Sequence, residues 1–288
     1  MWPMDAPGLD VEDTYIRCIS RAHASVKRQL AAATPDVVSA AKKSDIAFAN
    51  ASSHLLVQSE FESSEVTTDE LKATYTSRMV PAGSPGREIY DELKLSAPDG
   101  LCPSCGQRPA SQLDHILPKS SYPLVAVCPN NLVPACGECN HTKLAGIAQS
   151  PDDVPIHPYY DNIDTEVWLV ADILEGSPPG ATFRVVAPQS WSTVLEARVV
   201  RHFADFGLSQ LYSAQAAVEL RGIDIAMHRA YERGGPAEVR LGLSDQVEGR
   251  QMRFLNNWQA ATYRALAASD WYCESRYTSS VIAQVTFT

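Results

Sequence analysis

Cys102-Pro-Ser-Cys105 opens the stretch that decides the fold of this chain, and Cys136-Gly-Glu-Cys139 lies near its end. Between these two pairs lies Leu113-Asp-His-Ile-Leu-Pro-Lys-Ser120, and Asn140-His-Thr-Lys143 follows the second pair directly. Two Cys-x2-Cys pairs indicate a metal site. An Asp beside a His, with an Asn nearby, indicates groups able to activate water next to a phosphate.

The paired cysteines predict a closed zinc site. Cys102, Cys105, Cys136 and Cys139 would supply four thiolates, the set that structural zinc prefers. Oxidation of these pairs to disulfides is the alternative. The chain has 7 cysteines, and an odd count argues against a closed set of disulfides. The three remaining cysteines are expected to be small buried hydrophobes: Cys18, Cys128 and Cys273.

Composition and charge limit the class of protein. Of 288 residues, 45% are apolar and 20% are charged, which is typical of a globular protein. No apolar run approaches the roughly 18 residues of a membrane helix, and the N-terminus lacks the features of a signal peptide, so a cytoplasmic location is expected. The net charge of −10 argues against nucleic-acid binding through a broad basic surface. Any contact with DNA would need a local basic groove, bound cations or a partner subunit.

The pattern of apolar residues predicts an α+β protein that is mostly helical, in three regions. Residues 1–95 would form an N-terminal helical region, 96–150 the cysteine module, and 151–288 a hairpin followed by helices. Within the first region, Thr34 is expected to cap a helix that Pro35 opens.

In the third region, strands 167–173 and 182–186 would form the hairpin. The helices after residue 190 should break at three glycine-containing sites: Gly207, Gly234-Gly235-Pro236 and Gly242.

Within the cysteine module, two short strands and a helix are expected. Residues 113–116 and 132–134 would be the strands, and 137–147 the helix. This arrangement would place the oxygens of Asp114 and Asn140 near one Mg²⁺ or Mn²⁺ ion. His115 has an ordinary pKa of about 6.5, which suits a general base near neutral pH.

These motifs resemble the HNH endonuclease signature in its zinc-clipped, ββα-metal branch. The resemblance covers residues 102–143 and implies a metal-dependent nuclease that leaves 5′-phosphate and 3′-hydroxyl ends. It implies that Asn131 holds the loop between the strands and orients His115. Lys119 and Lys143 would contact phosphates. His141 is an alternative to Asn140 as the last ligand of the catalytic cation.

A second likeness continues through His157-Pro-Tyr-Tyr-Asp161 and Trp168-Leu169. This segment is similar to HNH subunits of bacterial anti-phage systems of the Septu type and to some retron-linked nucleases. Together with the acidic charge, it implies a defence effector that cuts DNA and works with an ATPase or sensor subunit. No membrane partner is expected, because the sequence has no apolar run of membrane-helix length. The chain lacks a Gly-rich phosphate loop of its own, so ATP hydrolysis would fall to the partner.

Two other interpretations remain open. A non-catalytic zinc module would bind nucleic acid or protein without cutting, and Asp114→Ala would then affect stability alone. A nuclease that stays silent until it is complexed would carry the same residues. We expect the intact set Asp114, His115, Asn131 and Asn140 to belong to an enzyme.

Overall fold

The structure is a computed structural model that describes residues 1–143 and 146–277. About 55% of the described residues are helical, and the sheets are short and antiparallel. The described residues form nine helices and four strands, in this order: α1 Val11–Ile19, α2 Ala24–Ala32, α3 Thr34–Ala49, α4 Thr68–Thr76, α5 Arg87–Leu95, β1 Gln112–His115, β2 Leu132–Ala135, α6 Gly137–Lys143, β3 Leu169–Leu174, β4 Gly180–Val185, α7 Thr193–Asp205, α8 Leu208–Gln251 and α9 Trp258–Ala268.

The chain divides into two compact units. The first contains Met1–Ile163 and Thr193–His202, and the second contains Asp164–Ser192 and the described residues from Phe203 onward. Mixed helix and sheet is the fold class that the sequence predicts. The three sequence regions stay a prediction about how the chain is organised.

The first unit begins with helices whose ends follow from their caps. Asp10 accepts a hydrogen bond from the backbone N–H of Asp13 (2.9 Å) at the start of α1. Thr67 does the same for Glu70 (3.3 Å) at α4. Thr34 is not the cap that we predict for α3, because the helix already includes it and Ala33 precedes it without a side-chain bond. Pro35 does lie in the first turn, where its missing N–H is not needed.

The β1–β2 hairpin lies against these helices. The strands are antiparallel, with Asp114 opposite Val133 and His115 opposite Leu132. Helix α5 packs on both strands, while α3 and α4 pack on the connection between them. The core of this unit is apolar and includes Leu30, Val37, Phe61, Leu71, Leu93, Leu113 and Leu132. The hairpin therefore depends on distant helices for its burial.

The helix after β2 is shorter than predicted. Its described part spans Gly137–Lys143, and Gly146 and Ile147 are not helical, so it does not reach residue 147. Residues 144 and 145 of the predicted helix lie outside the described residues.

The second unit packs the β3–β4 hairpin on α8 and α9. The predicted hairpin is confirmed, with Leu169 opposite Val185 and Leu174 opposite Gly180. Gly207, at φ +58°, separates α7 from α8 as predicted. Helix α8 bends at Gly234 and Gly235, but it continues through position 242, so the third predicted break is wrong. Gly242 adopts helical geometry there, because glycine weakens a helix without having to end it.

Candidate functional site

The four paired cysteines form one buried cluster. Their sulfur atoms all lie within 4.8 Å of one another, and all four residues are buried and free of disulfides. A regular tetrahedron with metal–sulfur bonds of about 2.3 Å places its sulfurs about 3.8 Å apart. The donor chemistry and the spacing therefore fit one ion such as zinc. The single cysteines Cys18, Cys128 and Cys273 are buried as well, as predicted.

The first cysteine turn is shaped by the backbone around it. The N–H of Gly106 donates to the carbonyl of Cys102 (2.7 Å), and the N–H of Cys102 donates to the carbonyl of Arg108 (2.8 Å). Gly106 has φ +59°, a conformation that side chains disfavour. The indole of Trp2 lies directly against it, because a Cβ at Gly106 would come 2.8 Å from the ring. The N-terminus thus covers this turn.

Crowding changes the acidity of the clustered thiols. Hydrogen bonds from Cys102, Cys136 and Cys139 hold the pKa of Cys105 far below its ordinary value. The pKa of Cys139 is raised, because the hydrogen bonds of Cys102, Cys105 and Cys136 all favour its protonated form. Thiols this close cannot all ionise without a compensating positive charge, which a bound cation would supply.

His115 lies at the end of β1, almost fully buried. Its Nε2 lies 2.9 Å from the carbonyl oxygen of Ala126. A carbonyl only accepts, so Nε2 carries the proton and Nδ1 is left with its lone pair. Burial first, and then the charge of Lys119, lowers the pKa of His115 from 6.5 to about 3. The imidazole is therefore neutral near pH 7.

The ring of His115 is held by a residue that the sequence did not single out. Tyr75 in α4 packs edge-on against the imidazole, with the ring centroids 4.4 Å apart. Its hydroxyl donates to the carbonyl of Leu113 (3.2 Å) and so ties α4 to β1. No local motif marks Tyr75, because the contact is formed by the tertiary fold.

Asn131 holds the connection between the two strands. Its Oδ1 accepts from the N–H of Leu117 (2.7 Å), and its Nδ2 donates to the carbonyls of Leu117 and Val125, both at 3.1 Å. The residue is only 1% exposed. Val125 precedes Ala126, the acceptor for His115. The bonds of Asn131 thus fix the backbone that orients the imidazole.

Asp114 and Lys143 form a largely buried ion pair. The Nζ of Lys143 lies 2.9 Å from Oδ2 of Asp114, and the two side chains are 14% and 15% exposed. The same ammonium donates to the carbonyl of His115. The phosphate contact of Lys143 stays a prediction, and in the structure its ammonium bonds to Asp114 and to the carbonyl of His115.

A cleft of about 510 Å³ brings several of the predicted residues together. Asp114, His115, Lys119 and Asn140 all line it, along with Tyr75 and Tyr90. The ammonium of Lys119 lies 5.3 Å from the centroid of the Tyr75 ring. His141, the alternative ligand, is exposed and is not among the lining residues. We refer to this cavity as the hairpin cleft.

The segment after the module supports it from outside. Nε2 of His157 bonds to the carbonyl of Asn130 (3.0 Å), and the hydroxyl of Tyr159 donates to the carbonyl of Leu132 (2.9 Å). Asp161 forms an ion pair with Arg198 at 2.6 Å. These residues therefore hold the start of β2 in place, which is a structural role.

Comparison with known proteins gives one relative and no family. The chain is 28% identical over 222 residues to Protein ea31 of Escherichia phage lambda, which covers 71% of this chain and 74% of that protein. No family model matches the chain. No solved structure matches it either. Among the described residues, no helix is long and apolar enough to cross a membrane.

Proposed function

We propose that this protein is a metal-dependent HNH-type endonuclease that hydrolyses phosphodiester bonds in DNA. One observation carries the proposal: a neutral His115, with its Nε2 bound to a backbone carbonyl, lines a cleft together with Asp114 and Asn140. The resemblance of residues 102–143 to the HNH signature is the reason for assigning phosphodiester hydrolysis to this arrangement.

His115 would act as the general base through Nδ1. A water molecule in the hairpin cleft would attack phosphorus as its proton passes to Nδ1. The bond from phosphorus to the 3′ oxygen would break, and solvent would protonate that oxygen, which leaves a 5′-phosphate and a 3′-hydroxyl. The lowered pKa keeps the base neutral but makes it weak. A bound phosphate, being negative, would raise the pKa of His115 towards a more useful range.

Asp114 and Asn140 would hold the catalytic cation. A carboxylate and an amide oxygen suit Mg²⁺ or Mn²⁺, and both residues line the same cleft. Such an ion would stabilise the charge on the phosphate and on the leaving oxygen. The ammonium of Lys143 now bonds to Asp114, so it would have to release that carboxylate. Lys119, at the cleft wall, would contact the phosphate.

The cysteine cluster would hold structural zinc. Four thiolates close the coordination sphere, so the ion would leave no position for substrate. The cluster links the turn before β1 to the start of α6, which carries Asn140. Zinc would therefore fix the helix relative to the hairpin.

Plasmid cleavage with Mg²⁺ or Mn²⁺ tests the proposal. We expect His115→Ala to abolish cutting, since no other histidine is among the described residues that line the hairpin cleft. The matched control is His141→Ala, a neighbouring exposed histidine, which should retain activity if Asn140 is the ligand. Equal cutting by wild type and His115→Ala would refute the assignment.

The Lys143–Asp114 ion pair favours a second candidate, a zinc module that binds nucleic acid or protein without cutting. A carboxylate paired in this way is satisfied without a divalent cation. This candidate predicts retained zinc and no cleavage with any divalent cation. A nuclease that stays silent until it is complexed would give the same result alone but would cut once its partner is added.

The role in anti-phage defence, with an ATPase or sensor subunit as partner, is the broader part of the proposal. It is supported by the likeness of residues 157–161 and 168–169 to defence nucleases. His157 and Tyr159 bond to the backbone at the start of β2. The likeness therefore includes residues that support the proposed nuclease module. An ATPase or sensor gene beside this one would strengthen the proposal, and a neighbourhood without either would count against it.

A further inference from the structure

A second cleft in the first unit is lined by three arginines. It has a volume of about 720 Å³, and its charged lining residues are Arg17, Arg21, Arg87 and Glu88. Cations thus outnumber carboxylates three to one in a chain whose net charge is −10. We refer to this cavity as the arginine cleft.

The cleft also contains the start of a helix. Helix α5 begins at Arg87, and Gly86 before it supplies no side-chain cap. The first N–H groups of a helix carry partial positive charge and bind anions readily. The first N–H of α5, that of Arg87, already donates to the carbonyl of Ser84 (3.2 Å), so the guanidinium groups are the main donors that the cleft offers to phosphate oxygens.

The arginines are held in place by neutral backbone groups. Arg17 donates to the carbonyl of Pro85 (3.0 Å), and Arg21 donates to the carbonyl of Gly83 (3.2 Å). Such bonds position a guanidinium without neutralising its charge. Arg17 also pairs with Glu88, whereas Arg21 has no carboxylate partner among the described residues. The charge of Arg87 is offset differently, by a two-point contact with Asp91 at 2.8 Å.

Glu88 is the one acidic group in the lining, and it is weakly held. Its carboxylate lies 2.7 Å from Arg17, but the side chain is 84% exposed. Ion pairs this exposed contribute little to stability. A phosphate could therefore take the place of this carboxylate on Arg17.

The arginine cleft adjoins the hairpin cleft through one layer of residues. Arg87 lines the former, and its guanidinium donates to the carbonyl of Val80 (2.6 Å). It also lies 5.0 Å from the ring centroid of Tyr90. Val80 and Tyr90 both line the hairpin cleft. One residue therefore contacts the linings of both clefts, so the two lie within reach of a single strand.

We propose that the arginine cleft binds the sugar-phosphate backbone of a nucleic acid strand whose scissile phosphate lies in the hairpin cleft. Only the position of the scissile phosphate in the hairpin cleft rests on the proposed function. Binding of the strand in the arginine cleft does not. The arginine cleft gives an acidic protein a local basic groove, which is one of the ways in which such a protein can contact DNA.

Oligonucleotide binding tests this directly, by fluorescence anisotropy without added Mg²⁺ or Mn²⁺. Arg21→Glu should weaken binding about tenfold and lower its salt dependence, because a phosphate contact is lost. Glu88→Gln should tighten binding, since it removes the competing carboxylate. Arg28→Glu makes the same charge change at an exposed position outside the cleft, and we expect it to change the affinity by less than about twofold.

Equal affinities for Arg21→Glu and Arg28→Glu would overturn the inference. Inorganic phosphate that displaces the strand completely, at a concentration near the dissociation constant of phosphate itself, would also overturn the inference. The cleft would then be a site for a single phosphate. Binding that depends on Arg21, in a protein that never cuts, would support this inference and refute the nuclease. If the protein cuts DNA and its affinity does not depend on Arg21, the nuclease proposal would be supported and this inference would be refuted.

Discussion

Lys143 places its ammonium 2.9 Å from the carboxylate of Asp114, and both side chains are more than four-fifths buried. The two residues lie 29 positions apart, on α6 and β1. An ammonium and a divalent cation would compete for the same oxygen. Whether Asp114 binds the ammonium of Lys143 or a divalent cation therefore decides whether the site can hold a catalytic metal.

Lys143→Met should change how Asp114 responds to cations. Without Lys143 the carboxylate is left partly buried and unpaired, so the thermal midpoint should fall in metal-free buffer. Added Mn²⁺ should restore it, because binding to the folded state alone stabilises that state. Calorimetric titration should show tighter Mn²⁺ binding than in wild type. Lys119→Met, at the cleft wall, is the control, and equal Mn²⁺ affinity in all three proteins would contradict the expectation.

Zinc removal should unfold the cysteine turns. Elemental analysis should find about one zinc per chain in wild type. We expect Cys136→Ser to lose the metal and to lower the thermal midpoint, since the binding energy of a structural zinc contributes to folding. Cys18→Ala changes a buried cysteine outside the cluster, so it should keep its zinc. Full zinc content in Cys136→Ser would show that the cluster does not hold the ion.

Gly106→Ala should destabilise the first cysteine turn. Its φ of +59° disfavours a side chain, and the new Cβ would come 2.8 Å from the Trp2 ring. We expect a loss of about 1–2 kcal/mol in the free energy of unfolding, measured with denaturant. Gly137 is the first residue of α6, and a Cβ there would meet no atom within 4 Å. Gly137→Ala should therefore be neutral or stabilising. Similar midpoints for the two variants would argue against the Trp2 contact.

Asn131→Ala should cost about 3 kcal/mol, because it leaves the buried N–H and carbonyl of Leu117 without their side-chain partner and removes one of the two bonds to the Val125 carbonyl. The neighbouring Asn130→Ala serves as the control. Its amide is partly exposed and bonds to Asp45 at 3.0 Å, so we expect about 1 kcal/mol there. Chemical denaturation measures both. If the two variants are equally stable, Asn131 does not hold the connection between the strands.

The free energy of unfolding should decrease as the pH falls below 6.5, and His157 should account for part of that decrease. Burial lowers the pKa of this residue from 6.5 to about 3. The unfolded chain therefore binds a proton at a pH where the folded chain does not. The stabilisation is fully present above pH 6.5 and is lost as the pH falls towards 3.

At pH 5 this loss amounts to about 2 kcal/mol. His157→Phe removes the titrating group, so its deficit in the free energy of unfolding relative to wild type should shrink between pH 7 and pH 5. Denaturation at both pH values measures the two deficits. A constant deficit would mean that His157 is not buried in its neutral form.

The sequence by itself determined the local features of this protein. The Cys-x2-Cys spacing predicted the four-sulfur cluster, and β-strand patterns predicted both hairpins. Gly207 marked the end of α7, because a positive φ is a property of one residue. These features depend on neighbours in the chain, so a linear pattern encodes them.

Only the tertiary structure decided what surrounds the catalytic candidates. It placed Tyr75 on the ring of His115 and Lys143 on Asp114. It also buried His115 deeply enough to lower its pKa from 6.5 to about 3, whereas the residue type alone suggested an ordinary value. Desolvation and pairing arise from segments that lie far apart in the chain, and their energies depend on distance in space.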